Sequence, residues 1–247
     1  MRRVHIVGPG RAGRSLARAL EDSGWPTPVL FARNDDSSQI GDGAEIVIIA
    51  TPDATISEVS ALLPVRSDVA VVHLAGSLGL DVVRRHPRHG AVHPLVALPD
   101  EATGARRLMG AWFAVAGDPV VEEVVEALDG RSFVVADEDR ARYHAAAVVA
   151  SNHLVTILGQ AERIAASAGV PFEALLHLVR GTIDNVDELG PVAALTGPAA
   201  RGDEATIRRH LEAIGDDERP LYELLATEAR RLAGRGREAN RPDPDGK

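Results

Sequence analysis

The sequence contains no cysteine. Disulfide bridges, thiolate metal sites and cysteine nucleophiles are thereby excluded. Lysine is almost as scarce, with Lys247 as its sole representative. A phosphate-loop lysine, a Schiff-base lysine and a lysine general acid all lack a residue to supply them. The other basic side chains are arginines, whose pKa above about 12 bars proton donation near neutral pH. Proton chemistry therefore falls to His, Asp, Glu, Tyr or bound water. Aromatic residues make up only 3% of the chain, so its cores must be built from Val, Leu, Ile and Ala. No apolar run reaches the roughly 18 to 20 residues that span a bilayer. The first residues read directly as a strand, so the expectation is a cytoplasmic protein with no signal peptide and no membrane contact. A net charge of −9 argues against a nucleic-acid partner. It leaves room for a local basic pocket that takes a small anion.

What is present is an alternation of strands and helices, followed by helices alone. Strands are expected at Arg2–Val7, Pro28–Arg33, Glu45–Pro52, Val69–Ser77, Gly90–Leu95, Ala111–Gly117 and Ser132–Ala136. Helices are expected from Arg14 to a stop at Gly24, at Asp53–Leu63 and at Val120–Gly130. The stretch Glu45–Pro52 is nearly continuous in apolar residues, the pattern of a strand covered on both faces. Beyond Asp137 the patterns are helical: about Glu138–Ala168, Pro171–Arg180, Asp203–Ile214 and Asp216–Leu232, with a loop at Leu189–Asp203. The fold class is an α/β Rossmann domain with a mostly parallel, doubly wound sheet, followed by an all-α C-terminal domain. The expected divisions are a dinucleotide-binding domain at 1–136, a helical substrate and dimerisation domain at 137–233, and a polar, Pro/Gly-rich disordered tail at 234–247.

Between the first strand and the first helix stands Gly8-Pro9-Gly10-Arg11-Ala12-Gly13. G-x-G-x-x-G in that position is the dinucleotide fingerprint. Its first glycine makes the tight turn, the second admits a pyrophosphate, and the third lets helix and strand pack closely. The helix N-terminus then offers N–H groups to the phosphates. The second strand ends in Phe31-Ala32-Arg33-Asn34. An arginine there suits the 2′-phosphate of NADP, with Arg11 assisting, whereas NAD would call for an acidic residue; Asp35 and Asp36 follow closely and keep NAD possible. Thr51, Pro52 and Asp53 end the third strand and are read as cofactor contacts, with Asp53 also a cap for the next helix. Gly76 and Ser77 after the fourth strand, and His93 in the fifth, place polar groups at the carboxyl edge of the sheet, where ligands bind. No histidine pair has ligand spacing with a carboxylate nearby, so no metal is expected. No serine sits in a nucleophile-elbow pattern.

GPGRAG, VVHLAGS, AVHPL, RYHAAAVVASNHL and ALTGPAARGD together carry a resemblance. The chain resembles the Rossmann-like proteins with a DUF2520 C-terminal domain, within the 6-phosphogluconate dehydrogenase-like superfamily. The match runs from Gly8 to about His210. The resemblance implies a two-domain, commonly dimeric NADP(H)-dependent oxidoreductase that reduces a small 2-oxo acid, ketopantoate first. It equally brings in imine reduction of the pyrroline-5-carboxylate type. A non-catalytic dinucleotide sensor is the reading from another class. In ketopantoate reductase the long helix bears a lysine acid and, eight residues on, an Asn-Pro-Leu stretch. Laying Asn152-His153-Leu154 on that stretch puts His144 at the lysine position and Val148 at that of a further asparagine. The departure matches the missing lysine.

Hydride addition to a carbonyl leaves a developing alkoxide that needs a hydrogen bond and then a proton. A histidine can supply that proton near neutral pH. His144 is therefore the expected donor. On an α-helix, Asn152 would lie about 12 Å farther along the axis, and Ser151 and Asn152 would flank the same stripe. His153 points elsewhere and is expected to be structural. A carboxylate substrate also needs a cation. Arg201 in the small-residue loop from Thr196 to Asp203 is the candidate, since arginine grips carboxylates through two parallel bonds. Thr196 adds a hydroxyl, and Asp203 either pairs with Arg201 or caps the helix after it.

Overall fold

The computed structural model describes residues 1–239. The chain divides into two compact units, the first ending at Asn152 and the second beginning at His153.

The first unit is built on seven strands: β1 (Val4–Val7), β2 (Val29–Phe31), β3 (Ile46–Ile49), β4 (Ala70–His73), β5 (Arg88–Pro94), β6 (Trp112–Gly117) and β7 (Arg131–Val134). Their order is β2-β1-β3-β4-β5-β6-β7, parallel throughout except for the antiparallel pair β5–β6. The chain lays β2 on one side of β1 and β3 on the other, leaving the crevice of a doubly wound fold at the carboxyl ends of β1 and β3.

The continuous apolar run in β3 has a direct cause. Successive side chains of a strand alternate faces. Ile46 and Ile48 enter one core, with Leu16, Leu20, Leu108, Phe113 and Val124. Val47 and Ile49 enter the other, with Phe31, Ile56, Leu63 and Val83. Helices α1 (Arg11–Asp22) and α4 (Val120–Ala127) bury their apolar stripes in the first core, and α2 (Ile56–Leu62) buries Ile56 in the second.

Helix α3 (Glu101–Leu108) was not among the expected elements. Its interior Gly104 is a poor helix former. The helix nonetheless starts on an Asp100 cap, whose carboxylate accepts from the Thr103 N–H, and ends with Arg106 and Arg107 beside the negative pole. Gly104 serves packing: a Cβ there would stand 2.1 Å from Ser15 Oγ of α1. Between β2 and β3 only one 3-10 turn, Ser37–Gln39, replaces the usual crossover helix, as the short connection implied.

The single long helix expected at 138–168 is interrupted. It comprises α5 (Arg140–Val148), a π-helical turn at Val149–His153, and α6 (Leu154–Ser167). In the second unit, α7 (Phe172–Ala194) continues far beyond the expected end at Arg180, with a break at Gly190 before Pro191. The expected loop at Leu189–Asp203 is thus partly helical and also holds α8 (Pro198–Arg201). Helices α9 (Glu204–Ala213) and α10 (Arg219–Ala239) complete the unit. The polar tail expected from Gly234 instead prolongs α10 to Ala239, and 240–247 lie outside the described residues.

The interior of the second unit is sparse. Among its described residues, Ala165 and Ile207 are the buried apolar ones. Polar links tie the helices together. Buried Gln160 donates to the Glu218 carbonyl at 2.8 Å, Arg163 grips the Glu218 carboxylate through two bonds, and Arg230 does the same with Glu204. No described helix is long and apolar enough to cross a membrane.

Candidate functional site

The glycine loop follows β1. Gly8 has φ +103, and a Cβ on it would stand 2.9 Å from the Ala50 and Thr51 backbone. Gly13 faces the loop itself, where a Cβ would meet the Gly8 carbonyl at 2.2 Å. Neither position admits a side chain, whereas nothing lies within 4 Å of a Cβ at Gly10. Gly10 is the N-cap of α1 and supplies no capping side chain. The leading N–H groups of that helix therefore face outward, next to exposed Arg11 and partly buried Ala12. These features make a cradle suited to a pyrophosphate.

At the end of β2, Arg33 is exposed and makes no ion pair among the described residues. The neighbouring acids are engaged with the backbone: Asp35 accepts from the Ala32 N–H at 2.7 Å, and Asp36 from the Ser38 N–H at 2.9 Å. After β3, Thr51 keeps a buried hydroxyl with no hydrogen-bond partner among the described residues. Pro52, and not Asp53, is the N-cap residue of the short 3-10 turn that follows. The expected Asp53 cap is therefore not formed. Its carboxylate instead accepts from Ser77 Oγ at 2.9 Å, joining the loops after β3 and β4.

Beyond β4 and β5 lies a cluster of histidines. His73 is fully buried, with Nε2 3.3 Å from the Gly79 carbonyl and Nδ1 unpartnered. His93 Nδ1 lies 2.7 Å from the Tyr143 hydroxyl of α5. The His93 ring meets those of Tyr143 and His144 edge to face, with centroids 5.6 and 5.8 Å apart. Gly76 lies against this pair. A Cβ on it would stand 2.6 Å from His144 Nδ1 and 2.8 Å from His93 Nε2. His144 Nδ1 is buried and has no hydrogen-bond partner among the described residues.

Burial, reinforced by the positive charge of Arg140, pushes the His73 pKa down to about 4. Burial likewise takes His93 to about 4, with His144 and Arg140 adding to the effect. Both rings are neutral at pH 7. Burial raises the Tyr143 pKa, so its phenol stays protonated. Arg140 is fully enclosed, and its three guanidinium nitrogens find no hydrogen-bond acceptor among the described residues. Its own pKa is lowered by that burial, with Asp137 and Tyr143 opposing the shift.

The structure does not maintain the helical stripe expected from sequence. The π turn carries i→i+5 bonds and changes the phase of the helix. His144 is half-buried and turned to Gly76, while Ser151 and Asn152 are exposed within the turn. His153 is exposed as well. Thr196 and Arg201 belong to the second unit, both exposed, with Arg201 closing α8. Asp203 resolves its two readings in favour of the cap: it accepts from the Thr206 N–H at 3.0 Å and from the Thr206 hydroxyl at 2.7 Å. Arg201 forms no ion pair with it.

Sequence reasoning gave no role to Tyr143 or Arg140. Tyr143 and His144 are adjacent in sequence and both polar on an otherwise apolar helix, a signal that was available. Arg140 offered none, since an arginine at a helix start reads as solvated. Among the described residues, no group of three or more His, Cys, Asp or Glu side chains is arranged to hold a metal ion.

Residues 113–229, from within β6 to within α10, match the family model described as a domain of unknown function, DUF2520. A Thermotoga maritima protein of known structure is 25% identical, with a TM-score of 0.73 over 95% of this chain and 99% of that one. A Bacteroides fragilis protein, provisionally described as an NADP oxidoreductase, is 22% identical, with a TM-score of 0.77 over 93% and 98%. A reductive aminase from Aspergillus terreus, solved with NADPH and ethyl levulinate, is 15% identical, with a TM-score of 0.70 over 96% and 95%. The last two likenesses are of fold. No curated protein matches the chain.

Proposed function

We propose that this chain is an NADP(H)-dependent oxidoreductase that reduces a small 2-oxo acid of the ketopantoate type. One observation carries the reading. A glycine loop with no room for side chains at Gly8 and Gly13 precedes an uncapped helix, on the same sheet whose fifth strand sets His93 against His144 of α5. Gly8, Gly10, Ala12 and Gly13 would hold the pyrophosphate, with Thr51, Pro52, Asp53, Ser77 and Gly76 along the neighbouring strand ends. Arg33, left unpaired because Asp35 and Asp36 bond the backbone, would hold a 2′-phosphate with Arg11. When bound, the reduced nicotinamide supplies a hydride.

His144 holds the proton that the new alkoxide takes up. In the second unit, we assign Arg201 to the substrate carboxylate on the strength of its exposed guanidinium, which makes no ion pair within 4 Å among the described residues, with Thr196 as a hydroxyl donor. Ser151 and Asn152 keep a proposed supporting role on the exposed π turn.

The fold shared with a reductive aminase favours a second reading, in which the reduced bond is C=N. The test is loss of dihydronicotinamide absorbance with ketopantoate, with pyrroline-5-carboxylate, and with a ketone plus an amine. NADPH turnover with ketopantoate, at a kcat/KM at least about tenfold above that with NADH, is the expected result. Arg33→Ala should remove about that tenfold preference, the worth of a charge-assisted phosphate bond. Turnover only with the nitrogen substrates would move the reading to imine reduction. Tight NADPH binding with no turnover would move it to a sensor.

We also propose a homodimer formed through the second unit. Helix α7 has no buried residue, and Leu178 and Leu189 are 66% and 54% exposed. Covering such side chains is worth about 1.5–3 kcal/mol each. Light scattering should give twice the 26.1 kDa chain mass, and Leu178→Glu with Leu189→Glu should give the single mass. A monomeric wild type would overturn this.

A further inference from the structure

The largest fully buried side chain among the described residues is a charged one, Arg140. Its guanidinium has no hydrogen-bond acceptor among them and no carboxylate within 4 Å. A buried lysine or histidine can shed its charge, but a guanidinium keeps its proton at neutral pH. Asp137, the carboxylate that acts on it, accepts from the Leu80 N–H at 2.9 Å instead.

Such a group costs stability. An ion left unpaired in a protein interior is worse for the fold than an apolar side chain of similar volume. Arg140 bonds nothing, so it pins no neighbouring element. Enclosure keeps it from touching a substrate or cofactor. It can still act through space, because the field of an enclosed charge is weakly screened.

Its place in α5 shows what that field reaches. Arg140, Tyr143 and His144 stand three and four residues apart and share one face of the helix. That face meets the carboxyl edge of the sheet. Tyr143 lies 2.7 Å from His93 Nδ1, and the His93 and His144 rings meet with centroids 5.8 Å apart. His73 lies under the same edge, 3.3 Å from the carbonyl of Gly79, the residue packed against Asp137. The charged and titratable groups around His73 and His93 are Arg140, Tyr143 and His144 from α5, Asp137 before it, and Asp53 after β3.

We infer that Arg140 is a positioning residue that works through its field: an enclosed cation without a counter-charge, it keeps His73 and His93 uncharged, so that the mobile proton of the cluster is carried by His144. The last clause rests on the reading of His144 as the acid. A proton on His93 would set a second charged ring beside His144 and drive the proton off it, since like charges at that range oppose each other. Arg140 makes His93 the poorer place for that proton, and burial acts in the same direction.

The first test needs no substrate. Histidine ring signals are followed by NMR from pH 8 down to acid unfolding in the wild type, Arg140→Met and Arg140→Gln. His93 is identified by its loss in His93→Gln. Removing the cation should raise the His93 midpoint from about 4 by about one pH unit in both variants. The urea midpoint at pH 8 should be unchanged or higher, because an unpaired ion has been removed. A His93 midpoint that does not move would overturn the inference. So would a failure of both variants to fold, which would make Arg140 a structural pin.

The second test is kinetic. In Arg140→Met the acid limb of the kcat profile for ketopantoate should move up by the same interval, with an unchanged NADPH dissociation constant. A limb that stays in place while the His93 midpoint moves would overturn the link to His144. A wild type that reduces no carbonyl or imine would overturn the oxidoreductase reading. The histidine titration would still decide whether the charge of Arg140 keeps His93 neutral.

Discussion

His144→Ala is expected to lower turnover of ketopantoate by about 10²–10⁴-fold, the usual loss when a general acid is removed. The NADPH dissociation constant should stay within about twofold, since the glycine loop is a separate element. The size follows from the shortage of substitutes. The only lysine is Lys247, which lies outside the described residues, and arginine does not release a proton at neutral pH. Tyr143 is held as a phenol by burial and is bonded to His93. His93, with its pKa pushed down to about 4, carries no spare proton at pH 7. His144→Gln sharpens the measurement, because the amide keeps a hydrogen-bond donor and removes the acid. Turnover in His144→Gln near that of the wild type would show that the histidine orients substrate without protonating it. Turnover in His144→Ala near that of the wild type would remove it from the reaction.

Acid is expected to destabilise the protein well above the pH at which its carboxylates titrate. His73 and His93 have folded pKa values of about 4, against 6.5 in the unfolded chain. As the pH falls, the unfolded chain takes up protons first. The stability contributed by these two rings is complete above about pH 7 and is lost progressively down to about pH 4. At pH 5 each accounts for about 2 kcal/mol, so the pair removes about 4 kcal/mol relative to pH 8. His5 and His86, also depressed by burial, add in the same direction. Carboxylates such as Asp118, held below its usual range by the hydrogen bond from Arg88, lose their contribution only at lower pH. Urea unfolding at pH 8, 6.5 and 5 checks the window. Equal midpoints at pH 8 and pH 5 would show that the histidines are charged in the native protein.

The sequence by itself determined the local rules. The order of glycines around Pro9 and Arg11 announced a turn that tolerates no side chain, and the structure has that turn because Gly8 and Gly13 face backbone. The apolar run in β3 announced a two-faced sheet, since alternate residues of a strand must bury on opposite sides. The lack of lysine and cysteine restricted the acids to a short list. These properties were legible because each depends on residues adjacent in the chain.

The tertiary structure alone decided the rest. Helix α3 carries a poor helix former at Gly104, whose place is decided by contact with Ser15, 89 positions away in the chain. The π turn at Val149–His153 broke the spacing argument that grouped Asn152 with His144, because a 3.6-residue period assumes an unbroken α-helix. His93 read from sequence as a cofactor contact. Its bond to Tyr143 spans 50 residues, and its packing with His144 against Gly76 joins the loop after β4 to β5 and α5. No periodicity encodes such a meeting. It arises because a parallel sheet gathers the carboxyl ends of distant strands along one edge. Whether a histidine on such an edge is a ligand, an acid or a neutral core residue depends on which side chains the fold sets beside it.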